Sequence, residues 1–166
     1  AGRAVPSRQV VVYVRPPPEL EPAWRQGPMI TDVLVEPTGR ADLFYAVPPV
    51  AGTGLKFGDH GFSLDGDPDA PRVVQPEEAA AVLDLAGRRL AAIERYRVTE
   101  ARVCFYDVSP DERFVAERAG QALVQAGFSG HGFKFGAVIG ECTAELLGGN
   151  GDLGAFRRWL AGEVTG

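Results

Sequence analysis

"GFSGHGFKFG", from Gly127 to Gly136, sets glycines around one histidine and one lysine, and its place in the chain decides the fold. Just before it, "ALVQAGFS" reads as a short strand, bounded as strands are by small residues. Just after it, "GAVIGECTAELLGG" carries Val138, Cys142 and Leu146 on one helical face and ends on two glycines suited to a helix stop. Strand, glycine loop and helix follow in that order. Such a loop lets a ligand approach backbone N–H groups at a helix amino terminus, where the dipole favours a partially negative atom. A tight turn that needs positive φ accounts for the glycines equally well, and spacing alone does not separate the two. Neither this stretch nor "GTGLKFG", from Gly52, matches the dinucleotide pattern G-x-G-x-x-G, so no pyrophosphate site is assigned.

Outward from the loop, "ARVCFYDVS", a turn through Pro110 and Asp111, and "RFVAER" read as further strands. Upstream, Pro76 with Glu77 and Glu78 opens a helix, proline in its first turn and acids near its positive dipole end. Ala79, Val82, Leu83, Ala86, Leu90 and Ile93 form its apolar stripe, which predicts an amphipathic helix. The first third alternates strand patterns with turns: "QVVVYV", "RPPPELEPAW", "ITDVLVE", "PTGRAD" and "LFYAVPPV". The proline tract reads as a stiff connection. Asp152 is expected to cap a last helix through Leu153, Phe156, Trp159 and Leu160.

Composition narrows the function. The 166 residues carry a formal charge of −5 and no block of Lys and Arg, which argues against a nucleic-acid surface and for a small-molecule partner. The longest apolar runs are strand length, too short to span a bilayer as a helix. The start, "AGRAVPSRQV", has no initiating Met and no secretion signal, which reads as a trimmed chain. Two distant cysteines suggest neither a disulfide nor a zinc site, and a reducing cytoplasm is expected. No metal site is expected from two histidines.

Lys134, in "GFKFG", needs a route to water or an anionic partner such as a ligand carboxylate, and Lys56, in "GLKFG", has the same options. His60 and His131 each stand within four residues of one of these lysines. Cys104 and Cys142 serve as small hydrophobes if they face a core. Tyr45 and Tyr106 each offer a hydroxyl from a strand.

"GTGLKFGDH", "CFYDVSPDERF" and "GFSGHGFKFG" occur in the order and approximate spacing of the carboxy-terminal half of certain FAD-dependent amine oxidases. The chain thus resembles, over roughly Gln9 to Gly149, the group in the D-amino acid oxidase-like superfamily that holds the sarcosine and N-methyltryptophan oxidases. The resemblance implies an α+β fold, with residues 1–100 in a mixed antiparallel substrate-binding sheet and 101–166 as the closing strands and helix of an FAD-binding domain.

It further implies that Lys134 binds the carboxylate of an amino-acid-like amine, and that Gly130, His131, Gly132 and Phe133 approach the pyrimidine end of the flavin. Lys56 would activate dioxygen, His60 would be an active-site histidine, and Tyr45 and Tyr106 would line the substrate cavity. Cys104 would be the point of covalent FAD attachment. The implied reaction oxidises a secondary or N-methyl amine with oxygen to imine and hydrogen peroxide. The amino-terminal FAD-binding half would be a further partner, and without it the chain is expected to be an inactive fragment. A related amino-acid dehydrogenase or oxidase with noncovalent FAD, and a non-catalytic module that keeps the carboxylate pocket, are the alternatives.

Overall fold

The computed structural model describes residues 4–35 and 41–163, and the turn expected in "PTGRAD" lies largely outside them. The fold is α+β, as expected, and the chain divides into two compact units. The larger takes in Arg8–Ser63 and Asp67–Phe105; the smaller takes in Ala1–Ser7, Leu64–Gly66 and Tyr106–Gly166.

The larger unit is built on a five-stranded sheet. Its strands are β1 (Val5–Arg15), β2 (Ile30–Val35), β3 (Ala41–Val47), β4 (Leu55–Asp59) and β5 (Arg97–Val108), in the order β2-β3-β4-β1-β5. The pairs β2·β3, β3·β4 and β1·β4 are antiparallel. Period-two alternation puts Val12, Val14, Phe44, Ala46, Leu55 and Phe57 on one face, where all are buried. That face packs with Val82 and Ala86 of α2 (Pro76–Gly87), with Trp24 of α1 (Glu21–Gln26) and with Tyr96. The buried Trp24 indole N–H donates to the Tyr96 hydroxyl at 3.1 Å, so neither polar atom is left without a partner.

The "RPPPELEPAW" connection carries more structure than expected: a 3₁₀ turn at Pro18–Leu20 and then α1. Pro18 and Pro22 sit in the first turns of these elements, where a missing N–H costs nothing. At α2 the Gln75 side chain accepts a backbone N–H of the first turn while Glu78 accepts the Gln75 N–H, a capping box. The helix stops at Gly87, earlier than its apolar stripe suggests. The chain turns back there, with Ile93 so near that a Cβ on Gly87 would meet its Cγ2 at 3.0 Å. Leu90 and Ile93 nevertheless pack on the same core from the connection that follows.

In the smaller unit β6 (Val115–Ala119) and β7 (Ala122–Ala126) form a hairpin, followed by a 3₁₀ turn at Gly132–Phe135, α3 (Gly136–Leu147) and α4 (Leu153–Leu160). Its core is Ala116, Ile139, Leu146, Phe156 and Leu160, with Cys142 partly buried against them. The face of α3 differs from the expected one: Ile139 is buried and Val138 is 44% exposed. Both are apolar and both lie at helical spacing from Cys142 and Leu146, so the pattern fits either one, and packing selects Ile139. Asp152 caps α4 as expected, accepting the N–H groups of Gly154 and Ala155 at 2.7 and 3.2 Å.

Candidate functional site

In the smaller unit the glycine loop is fastened at both ends of its first turn. Gly127, at φ +76°, donates its N–H to the Asp107 carboxylate at 2.6 Å. A Cβ there would approach the Arg113 carbonyl oxygen and the Ser109 side chain to 3.0 Å, so the position needs glycine for its backbone and for its surroundings. Ser129 is fully buried at φ +47°, a conformation a non-glycine residue keeps only when its neighbours impose it. Its hydroxyl donates to the Gly127 carbonyl and accepts the Ser109 N–H, and its own N–H reaches the Asp107 carbonyl at 3.0 Å. Asp107, Ser109 and Ser129 therefore position the loop, and the sequence reading missed all three. Their signal is only a short polar run after a strand, with the partners about twenty positions apart.

The loop delivers the 3₁₀ turn Gly132–Phe135 and then α3. The amino end of α3 is exposed, has no side-chain cap and carries no acidic residue in its first turn, although the first N–H, that of Gly136, is taken by the Phe133 carbonyl of the preceding 3₁₀ turn. Gly136 opens on empty space where a Cβ would stand. Lys134 is exposed, its ammonium 5.6 Å from the Phe135 ring centroid, and Phe133 is fully exposed. Gly130 has φ +77°, and a Cβ on Gly132 would meet the Phe128 ring at 2.8 Å. His131 is half-buried with Nε2 3.6 Å from the Glu112 carboxylate. Lys134, His131, Phe135, Phe114 and Trp159 line an open cleft of about 700 Å³. Tyr106 is half-buried on β5 in this unit.

The larger unit holds the other candidates. "LKFGD" forms a strand, β4, in which Leu55 and Phe57 alternate into the core and leave Lys56 on the opposite face. There the Lys56 ammonium lies 5.5 Å from the Tyr45 ring centroid. Tyr13 is the cross-strand partner of Lys56, and the Arg102 guanidinium lies 5.0 Å from the Tyr13 ring centroid. Arg102 also donates to Glu100 at 2.9 Å, a bond that holds the Glu100 carboxyl below the usual carboxylate range. Cys104 is exposed on β5, and His60 follows β4 with its N–H on the Leu43 carbonyl at 3.1 Å and its ring 5.4 Å from Phe62. Lys56 and Tyr45 thus meet directly, while Lys134, His131 and the loop glycines form a second group in the smaller unit. Among the described residues no three His, Cys, Asp or Glu side chains cluster as a metal site would need, and no helix is long and apolar enough to cross a membrane.

Monomeric sarcosine oxidases of Bacillus sp. strain NS-129 and Arthrobacter sp. strain TE1826 are 36% and 34% identical to the chain over 113 and 116 residues. These matches cover 63% and 66% of this chain but 28% and 29% of the relatives. N-methyl-L-tryptophan oxidase of Citrobacter koseri is 45% identical over 49 residues, 28% of this chain and 13% of that protein. The chain spans less than a third of the length of these relatives. Two solved structures share its fold at 18% identity: the fructosamine oxidase Amadoriase II of Aspergillus fumigatus (TM-score 0.69, covering 92% of this chain and 38% of that one) and the L-proline dehydrogenase of P. horikoshii (0.64, 96% and 40%). The family model described as FAD dependent oxidoreductase matches residues 2–146, and the chain belongs to that family of flavoproteins.

Proposed function

We propose that this chain is the substrate-facing portion of an oxidase that removes electrons from the C–N bond of a secondary or N-methyl amino acid, sarcosine-like in class, and passes them to dioxygen. The observation that carries the reading is the exposed amino end of α3 beside Lys134: a helix start with no side-chain cap, no acid in its first turn and an exposed ammonium next to it suits a group that gains negative charge. These residues fit FAD, because the backbone at Gly136 leaves open space for a ring edge. FAD, when bound, supplies the two-electron oxidation; the protein orients the substrate.

In this reading residues 1–100 belong to the substrate-binding domain and 101–166 to the FAD-binding domain. Gly130, His131, Gly132 and Phe133 border the ring edge. Lys134 takes the substrate carboxylate in a charge-assisted hydrogen bond. Tyr45 and Tyr106 border the substrate, and His60 is an active-site histidine. Lys56 stabilises the negative charge that develops on dioxygen as it is reduced to peroxide. Cys104, exposed as a tether would need, is the point of covalent attachment. An amino-terminal half supplies the remaining FAD contacts, and the whole works in the cytoplasm.

The test is anaerobic mixing of the FAD-loaded protein that carries this chain with sarcosine and with N-methylated and unmethylated amino acids, followed by exposure to oxygen. Bleaching of the flavin by an N-methyl amino acid, with stoichiometric peroxide on reoxidation, is the expected result. Failure of every such amine to bleach it overturns the reading. Flavin that stays with the protein after acid precipitation, and is released in Cys104→Ser, marks the covalent link.

A further inference from the structure

Glycine inside a strand weakens it, and where it occurs it marks either a bulge or a close approach by another group. Gly58 stands in the middle of β4 with regular partners on both sides, Val11 of β1 and Tyr45 of β3, so there is no bulge. It is buried, and the group that approaches is identified: a Cβ on Gly58 would lie 2.5 Å from both Cζ and the hydroxyl oxygen of Tyr45, and 3.0 Å from its Cε1. The Tyr45 ring therefore lies down across β4 on the bare backbone of Gly58. In that posture it comes under the ammonium of Lys56, two residues earlier on the same strand face, at 5.5 Å from the ring centroid. A Cβ at position 58 would need the space that the Tyr45 ring fills, so the ring would have to shift.

We propose that Gly58 is a positioning residue: it is the seat that lays Tyr45 beneath Lys56 and so fixes where that ammonium stands on the open face of the sheet. A cation held against an aromatic face gives up the freedom of a four-carbon stem for one direction. The seat itself rests on geometry; its consequence for the oxygen reaction rests on the role proposed for Lys56 above.

The chain has two lysines, Lys56 and Lys134, so ¹³C labelling of the protein at the lysine ε-carbon gives two signals from this chain. They are assigned with Lys56→Met. The ε-protons of Lys56 are expected upfield, shifted by the Tyr45 ring, and Tyr45→Leu should move them to the position of an unshielded lysine. Gly58→Ala should do the same while the emission of the buried Trp24 stays in place, which shows that the larger unit is still folded. In the double variant Gly58→Ala/Tyr45→Leu the Lys56 signal should sit where Tyr45→Leu alone puts it. An unmoved Lys56 signal in Gly58→Ala, or a further displacement in the double variant, overturns the proposal. In the FAD-loaded protein Gly58→Ala should slow flavin reoxidation, and no further than Lys56→Met does. If Lys56→Met leaves reoxidation at the wild-type rate, the oxygen role of Lys56 fails, whereas a lost upfield shift in Gly58→Ala still upholds the seat.

Discussion

The carboxylate of Asp107, at the end of β5, accepts the N–H of Gly127 at 2.6 Å and so ties down the start of the glycine loop. Asp107→Ala leaves that N–H without its partner and should cost about 1–3 kcal/mol. Thermal unfolding measures the loss, and amide hydrogen exchange should quicken first at Gly127 and Ser129. Asp107→Asn keeps an acceptor oxygen and should lose less. Equal exchange at the two amides in all three proteins would show that the tie carries no load.

Phe57 touches three other rings, at centroid distances of 6.2 Å to Trp24, 5.5 Å to Phe44 and 5.9 Å to Tyr96. Phe57→Ala opens a cavity in the middle of this group and should destabilise the larger unit by about 3–5 kcal/mol. Urea unfolding gives the figure, and a loss near zero would mean that the ring cluster is not the core of that unit.

Glu78 closes the α2 capping box and accepts the Arg8 guanidinium at 2.7 and 3.0 Å. The hydrogen bond from Arg8 holds its carboxyl below the ordinary value of 4.5; burial opposes this, and the Gln75 N–H adds to it. The folded value lies below the unfolded one, so the contribution is complete above pH 4.5 and is lost as the pH falls through the folded value. With both side chains partly solvated, Glu78→Gln should cost about 1 kcal/mol at neutral pH. It should also flatten the fall in stability below pH 4.5, which a series of melts across pH would show.

Asp152 accepts two N–H groups at the start of α4. Asp152→Ala should cost about 0.5–2 kcal/mol and Asp152→Asn much less, read from melting temperatures.

If Lys134 holds the substrate carboxylate, Lys134→Met removes one charge-assisted hydrogen bond and should weaken anaerobic substrate binding by about 1.5–3 kcal/mol, roughly ten- to a hundredfold. Binding of an amine that lacks the carboxylate should change little. An equal loss for both ligands would assign Lys134 to the loop's shape instead.

How far the sequence reaches is clearest at particular residues. Asp152, Pro76 and the paired glycines after Leu147 act locally, through bonds to their own chain neighbours, and each announced a helix end correctly. β4 was harder. Its alternation spans only Leu55 to Phe57, and the glycines on either side, which mark turns elsewhere, here serve as a strand flank and as the floor under Tyr45. The choice between Val138 and Ile139 on α3, and the bonds from Asp107 and Ser109 to the glycine loop, depend on which distant segments meet, information that no local spacing contains.

The chain has two tryptophans, and each unit owns one: Trp24, 8% exposed in the core of the larger, and Trp159, 43% exposed and stacked on Phe156 in the smaller. Their emission should differ accordingly, blue and sheltered for Trp24, red and quenchable by iodide for Trp159. A single fluorescence melt with and without quencher therefore tells the two units apart without any added label, and Trp24→Phe and Trp159→Phe each leave a protein that lights only one of them.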